Sequence, residues 1–476
     1  MGEAGGWKAG PSARLAYAGR FMAGGVGASS GGPSVRVPGA RVSLALLLLI
    51  NLINYIDRYV LAAVEPLIAK DLLPANDPNA QGKMGLLATA FMVSYMLTAP
   101  VFGWLGDRSR RWWLIGIGVV LWSIASGASG LSHAAGQYLH AAGIGFIGGF
   151  GVLLVTRCFV GVGEGAYGPI APSLISDMFP VAKRGTALSW FYAAIPVGSA
   201  LGYVLGGAIG TRFGWQWSFY AVVPPGILLG AWCFFRPEPA RGAADPGAAK
   251  VSKKEAYRSL LRNKSYVLDV LGMTAMTFAI GGVSFWMPRY VAERLTSEGI
   301  VTAATRDEAL RLALDQANSR FGMIVVVAGF LATIAGGWLG DRLRNRFSGS
   351  YFLVSGAAMV VGFPLFLGVL FTPFPMCWWL IAAAVFALFF NTGPSNAIIA
   401  NVTPPAVRAT AFAVCIFMIH AFGDAISPAI IGFVSDRAHS MNAGFGVVSG
   451  MILVAGVLWL WGARYLGKDT AAAGGG

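Results

Sequence analysis

GWLGDR, residues Gly103 to Arg108, returns letter for letter at Gly337 to Arg342. Each copy closes a long apolar run and is followed by further arginines, SRR in the first case and LRNR in the second. A second echo links KRGTALSWF from Lys183 with VRATAFAVC from Val407, each at the start of an apolar run. Two related halves in one chain are the simplest reading, arranged in parallel because both copies of each motif meet their runs at the same end.

Working outward from the repeat, the chain is 56% hydrophobic and 12% charged with a mean hydropathy of +0.64. Soluble domains carry about 25% charged residues, so most of this chain reads as membrane-embedded. Apolar runs of roughly 20 residues, each able to cross a ~30 Å hydrocarbon core as helix, recur from end to end. Their approximate spans are 43–68, 84–105, 112–132, 147–172, 186–210, 216–236, 265–288, 319–340, 350–371, 376–396, 409–434 and 443–466. A spanning β-barrel would instead show ten-residue alternating segments. The expected fold is an all-α membrane protein with twelve transmembrane helices in two six-helix pseudo-symmetric bundles. The organisation that follows is a basic tail over 1–40, a first bundle over 41–236, a linker over 237–263, a second bundle over 264–466 and a tail over 467–476.

With an even number of crossings both termini share a side, and most of the 35 lysines and arginines fall there. The positive-inside rule makes that side cytoplasmic. The net charge of +14 is then a consequence of topology, and no nucleic-acid partner is expected. The basic linker, rich in Lys and Arg from Arg236 to Lys264, could rest on anionic lipid headgroups. Brief loops suit a multi-pass protein of a bacterial plasma membrane. Cys158, Cys233, Cys377 and Cys415 all fall in apolar runs without metal-ligand spacing, so neither a disulfide, a metal nor any cofactor is indicated. GARYLGKD at Gly462 and GIGFIG at Gly143 imitate nucleotide-binding loops by letters only, since no strand frames either.

Charges at membrane depth are costly, and they usually line a cavity and pair. Asp57 and Arg58 stand side by side in NYIDRYVLAA, pointing about 100° apart on a helix, so they need different partners. Arg157 and Glu164, seven residues apart, share a face with a rise of roughly 10 Å. The expectation is that Asp57 and Arg58 meet that face, giving two acids and two bases that nearly cancel. Such a core either switches partners during transport or is a permanent network that fixes packing. His420 and Asp424 share a face at i, i+4, as a proton relay or a buried His–Asp pair. Asn391 and Ser395 in FFNTGPSNAI could bond a headgroup or glue helices together, with Gly393-Pro394 breaking the run. Trp190, Tyr192 and Trp286 could contact an acyl chain. Glu65 and Asp269, towards the ends of their runs, are expected to be solvated and without a role. Asp107, Arg108, Asp341 and Arg342 form either a cytoplasmic gate or a topology anchor.

GWLGDRSRR with its copy GGWLGDRLRNR resembles the loop signature of the major facilitator superfamily. NYIDRYVLAAVEPLI, the stretch from Arg157 to Gly207 containing RCFVGVGEGAYGP and AIPVGSALGY, and FWMPRY at Phe285 resemble the Spinster family of lipid transporters. A sugar-acid branch of the superfamily shares versions of NYxDR and GxGE. The resemblance implies a monomeric secondary transporter working by alternating access, with residues matching Asp57, Arg58, Arg157 and Glu164 in proton coupling. It implies protons, membrane lipids and an amphiphilic or anionic small-molecule substrate as partners, either a lysophospholipid or a sphingoid-type phosphate. A proton symporter of a small organic or sugar acid is the alternative. An integral-membrane enzyme is the rival class, for which four scattered histidines and no acidic metal motif offer little. The segment 133–150 makes the third connection longer than the family implies, and no role carries over to it.

Overall fold

The computed structural model describes residues 39–143, 148–179, 181–239, 258, 260–344, 346–403 and 405–473. The basic tail up to residue 38, most of the linker and the centre of GIGFIG lie outside them. Among the described residues the chain is helical and holds no strand. That is the outcome expected where no water reaches the backbone and each helix satisfies its own N–H and C=O groups.

The first half contains α1 (Ala40–Leu72), α2 (Ala80–Gly106), α3 (Arg111–Gly130), α4 (Gly149–Met178) and α5 (Val181–Phe213). Its sixth crossing, α6, is made of two pieces, Trp215–Tyr220 and Val223–Cys233. The second half contains α7 (Lys264–Ser297), α8 (Arg306–Arg344), α9 (Ser350–Phe371), α10 (Cys377–Val402), α11 (Thr410–Ala438) and α12 (Met441–Gly462). Eleven of these are each long and apolar enough to cross a membrane. The expected unbroken span 216–236 is divided instead, because Pro224 and Pro225 cannot continue a helix and open the second piece. The last ten residues also differ from a plain tail: Leu466–Ala472 is a short helix whose Asp469 carboxylate accepts the Ser265 N–H at the start of α7, 2.9 Å away.

Three other helices are interrupted near mid-depth. α4 breaks between Tyr167 and Ile170, at Gly168-Pro169, and α10 between Phe389 and Thr392, shortly before Pro394. α11 contains a wide turn over His420–Asp424, closed by an i→i+5 bond from Ala425 N–H to His420 O. Pro428 lies four residues beyond it. Proline removes a donor and crowds the carbonyl four residues earlier, which accounts for breaks at these places.

Within the first half, α1 and α5 pack backbone to backbone. Gly198 and Gly202, in AIPVGSALGY, make this possible: a Cβ on Gly202 would lie 2.7 Å from the Ile56 carbonyl oxygen, and one on Gly198 2.8 Å from that of Leu52. Small residues four apart are how membrane helices approach closely. This contact presents the charged turn of α1 inward from α5, towards α3 and α4.

The halves join through α2 with α11, α5 with α8, and α1 with α7. Asp436 of α11 accepts the Gln81 and Gly82 N–H groups at the start of α2, at 3.1 and 2.7 Å. Tyr203 donates to the Ser284 carbonyl at 2.5 Å, and Asn318 to the Ala63 carbonyl at 2.9 Å. Arg289 of α7 pairs with Glu65 of α1 at 2.8 Å, and Lys70 pairs with Asp307. Among the described residues every hydrogen bond and ion pair joining the halves lies in the part of the helices remote from Ala40. Among the described residues the halves are therefore clamped at that far face. In the loop between α1 and α2, outside the crossings, Lys83 and the Asn79 N–H hold the Asp77 carboxyl below its usual range.

Candidate functional site

α1 carries Asn51, Asn54, Asp57 and Arg58, and the first three are buried. Spacings of three and four bring Asn51, Asn54 and Arg58 to one face of the helix, with Asp57 turned about 100° from Arg58. Arg58 donates from Nε to Glu164 Oε2 of α4 at 2.7 Å, and its Nη2 lies 2.6 Å from the same oxygen. Glu164 is 1% exposed and Arg58 16% exposed, so the pair is sealed on the carboxylate side and open on the guanidinium side. Tyr55, Phe91 and Tyr95 surround the guanidinium at 5.0, 5.0 and 5.4 Å from their ring centres. An aromatic cage of this kind holds a cation where water is scarce.

Asp57 takes a different partner, as its direction on the helix requires. Ser126 of α3 donates to its Oδ1 at 2.5 Å. Arg157, almost completely buried, acts on Asp57 and Glu164 through space, and its guanidinium lies 5.3 Å from the Phe91 ring centre. The expectation that both α1 residues meet the α4 face gains one detail, the hydrogen-bond partner of Asp57. Arg58 reaches Glu164, whereas Asp57 is held by α3. Arg157 Nε and Nη1, Asp57 Oδ2 and Glu164 Oε1 are buried without hydrogen-bond partners among the described residues. Two acids and two arginines so arranged keep one ion pair made and several strong donors and acceptors unspent.

His420 Nδ1 lies 3.0 Å from Asp424 Oδ1, within the wide turn of α11, and both side chains are about one-fifth exposed. The Tyr95 ring of α2 stands edge-on to the His420 ring at 6.3 Å. Tyr95 thus touches both the Arg58 cage and the His420 turn, bridging the halves at mid-depth.

Asn391 and Ser395 use their donors within α10, while Asn391 Oδ1 has no hydrogen-bond partner among the described residues. Both are fully buried, Asn391 Nδ2 donates to Leu388 O at 2.7 Å, and Ser395 Oγ to Asn391 O at 2.8 Å. They satisfy carbonyls around the break in α10. Glu65 and Asp269 are corrected: neither is solvated. Both are 0% exposed, Glu65 in the ion pair with Arg289 and Asp269 accepting the Trp459 indole N–H at 3.0 Å.

Among the described residues, Arg108, Asp341 and Arg342 of the two GWLGDR copies make contacts within their own halves. Arg108 stacks on Trp104 at 4.2 Å and donates to its carbonyl, while Asp107 caps the end of α2. Asp341 accepts from Tyr351 at 2.7 Å, and Arg342 stacks on Trp338 at 5.3 Å. The anchor of this region is Arg111, which is buried and bonds Asp177 at 2.5 Å, Glu238 at 2.7 Å and the Pro239 carbonyl at 3.0 Å. The signal for it was the third arginine of GWLGDRSRR, which the composition of a basic loop disguises. Ser126 was equally concealed in the serine-rich α3. Among the described residues no group of three His, Cys, Asp or Glu side chains is placed to hold a metal, and the four cysteines are free thiols.

Comparison with known proteins bears on this geometry. The Major Facilitator Superfamily model matches residues 47–420. Protein spinster homolog 3 of Danio rerio is 34% identical over 84% of this chain and 78% of its own length. The chain belongs to the Spinster family. Another relative of this Spinster protein is the sphingosine-1-phosphate transporter SPNS2 of Danio rerio, 32% identical over 84% of this chain and 77% of that one. Among solved structures, a bacterial homologue of the human lysosomal transporter Spinster, in an inward-facing and unoccupied conformation, superposes with a TM-score of 0.71 at 22% identity. That alignment covers 91% of this chain and 97% of the other. This Spinster protein is accordingly a multi-pass membrane transporter of the major facilitator fold.

Proposed function

We propose that this Spinster protein moves an amphiphile with an anionic headgroup, a lysophospholipid or sphingoid-type phosphate, by proton-coupled alternating access. One observation carries the reading: Arg58 is paired with Glu164 while the adjacent buried Arg157 keeps Nε and Nη1 unpartnered. Protonation of Glu164 releases Arg58, and two guanidiniums then face one site, where planar forked donors match a phosphate or carboxylate. Proton and substrate compete for the same arginines, which is what couples their movements. Asp57, held by Ser126, balances the charge of Arg157 in the meantime.

The relatives support the same direction, since one of them is named for sphingosine-1-phosphate transport. The sugar-acid reading asks for polar contacts from both halves, yet Asn391 and Ser395 spend their donors on their own helix. The positive-inside rule supports a cytoplasmic placement of the face with Arg108, Arg110, Arg342 and Arg346, opposite the clamp between the halves.

Uptake by reconstituted vesicles tests the substrate class. Labelled lysophospholipid is expected to move, and a labelled sugar acid to remain outside. Movement of the sugar acid with no movement of the lysophospholipid would overturn the reading and make the charged core a small-anion site.

A further inference from the structure

Outside the charged core, the second half carries a groove of about 1370 Å³ between α8, α9 and α10. It exceeds the roughly 300–1,000 Å³ of an ordinary small-molecule pocket. Along α8 it runs from Arg320 to Leu343, a rise of about 35 Å, close to the thickness of a bilayer's hydrocarbon core. Met323, Val327 and Leu331 of α8, Val361 of α9 and Trp379 of α10 line it and are exposed. No lining residue belongs to the Asp57, Arg58, Arg157 and Glu164 core, so the groove is separate from the transport site.

Arg320 is the one charged residue among those lining the groove, and it sits at the far-face end. It is exposed, and its guanidinium lies 5.3 Å from the Trp378 ring centre. Its nearest polar company is the Gln316 amide one turn earlier, whose oxygen, suitably oriented, accepts from Nη1 and Nη2 at 3.2 and 3.0 Å. Among the described residues no carboxylate pairs with it. Trp378 and Trp379 open α10 at the same level, the position of aromatic residues at a membrane–water interface. An unopposed arginine at headgroup depth, above an apolar trough as long as the hydrocarbon core, has the charge pattern of a phospholipid in negative.

We infer that this groove is a binding site for an anionic diacyl phospholipid of the far leaflet, with the phosphate on Arg320 beside Trp378 and the acyl chains along α8 and α9. Charge complementarity favours an anionic headgroup over a zwitterionic one. A choline group brings its own cation to the arginine, whereas a phosphatidylglycerol headgroup leaves a net negative charge for the fork to hold.

Native mass spectrometry of the purified full chain, titrated separately with phosphatidylglycerol and phosphatidylcholine, tests the site. The wild type is expected to bind phosphatidylglycerol about ten-fold more tightly, as one desolvated charge-assisted contact of about 1.4 kcal/mol gives. Arg320→Gln should abolish that preference, and Arg311→Gln, a charge lost elsewhere on α8, should preserve it. Ala357→Trp, which fills the trough without touching Arg320, should weaken retention of both lipids. Equal binding of the two lipids by the wild type, or a preference that survives Arg320→Gln, would overturn the inference and leave Arg320 as an interfacial anchor. Displacement of phosphatidylglycerol by an equimolar single-chain lysolipid would also overturn it, assigning the groove to the transported class instead. Unfolding midpoints of the variants, expected to match the wild type, separate loss of lipid from loss of fold.

Discussion

The two halves repeat each other in outline and differ in what they bury. At mid-depth the first half holds Asp57, Arg58, Arg157 and Glu164, three of them sealed from solvent. The second holds a single His420–Asp424 pair, partly exposed on the wide turn of α11. Burying charge in a membrane costs several kcal/mol per group unless it is paired, which is the cost the proposed ion-pair exchange in the first half accounts for. Interrupted helices occur in both halves, α4 and α6 in the first and α10 and α11 in the second, so what separates the halves is the buried charge and not the breaks.

A second contrast lies beside the two copies of GWLGDR and not within them, since Arg108 stacks on Trp104 as Arg342 does on Trp338. In the first copy of GWLGDR the neighbouring Arg111 ties α3 to α4 and the linker through Asp177 and Glu238. Among the described residues Arg342 of the second copy makes no ion pair and stacks on Trp338.

Five substitutions sharpen these comparisons. Arg58→Ala should have the largest effect, because it leaves Glu164 buried without its cation. Transport should vanish and the unfolding midpoint in detergent should fall, with a cost of about 3–5 kcal/mol. His420→Ala, in the other half, should leave the midpoint nearly unchanged. Arg111→Ala comes next, at about 3 kcal/mol, since two carboxylates and a carbonyl lose one buried partner, whereas Arg342→Ala should stay within about 0.5 kcal/mol. Equal effects of those two arginines would dissolve the contrast between the copies. Of the three destabilising changes, the smallest is expected at the far-face clamp. Asp436→Ala removes two accepted N–H bonds from the start of α2, worth about 1–2 kcal/mol. Distance measurements between spin labels on the far ends of α2 and α11 should then show a population separated beyond the wild-type spacing.

Much of the fold was legible because membrane crossings are written in composition and the repeat in plain letters. Eleven apolar runs emerge as long helices, and the sixth is divided by a proline pair that hydropathy averages over. The core was legible for a related reason. An Asp-Arg pair in an apolar run demands partners, and Arg157 and Glu164 were the charges available at similar depth. Which atom meets which was not, since Ser126 is an ordinary residue until α3 is brought beside α1. Glu65 misled for the opposite reason. Its position near a helix end implies water, but Arg289 comes from the other half, and no local pattern announces a contact across 224 residues of chain. Asn391 and Ser395 looked like ligand contacts because sequence does not show that a broken helix consumes its own polar side chains.

The most direct test of the central claim, that Glu164 exchanges Arg58 for a proton during transport, is lysophospholipid movement by reconstituted protein with and without an imposed pH gradient. Wild type and Glu164→Gln, matched for unfolding midpoint, are compared side by side. The account predicts that the gradient drives accumulation in the wild type and that Glu164→Gln, unable to hold Arg58 by charge or to give up a proton, moves lipid at most downhill. Gradient-driven accumulation by Glu164→Gln equal to the wild type would contradict it and leave the Arg58–Glu164 pair a structural tie.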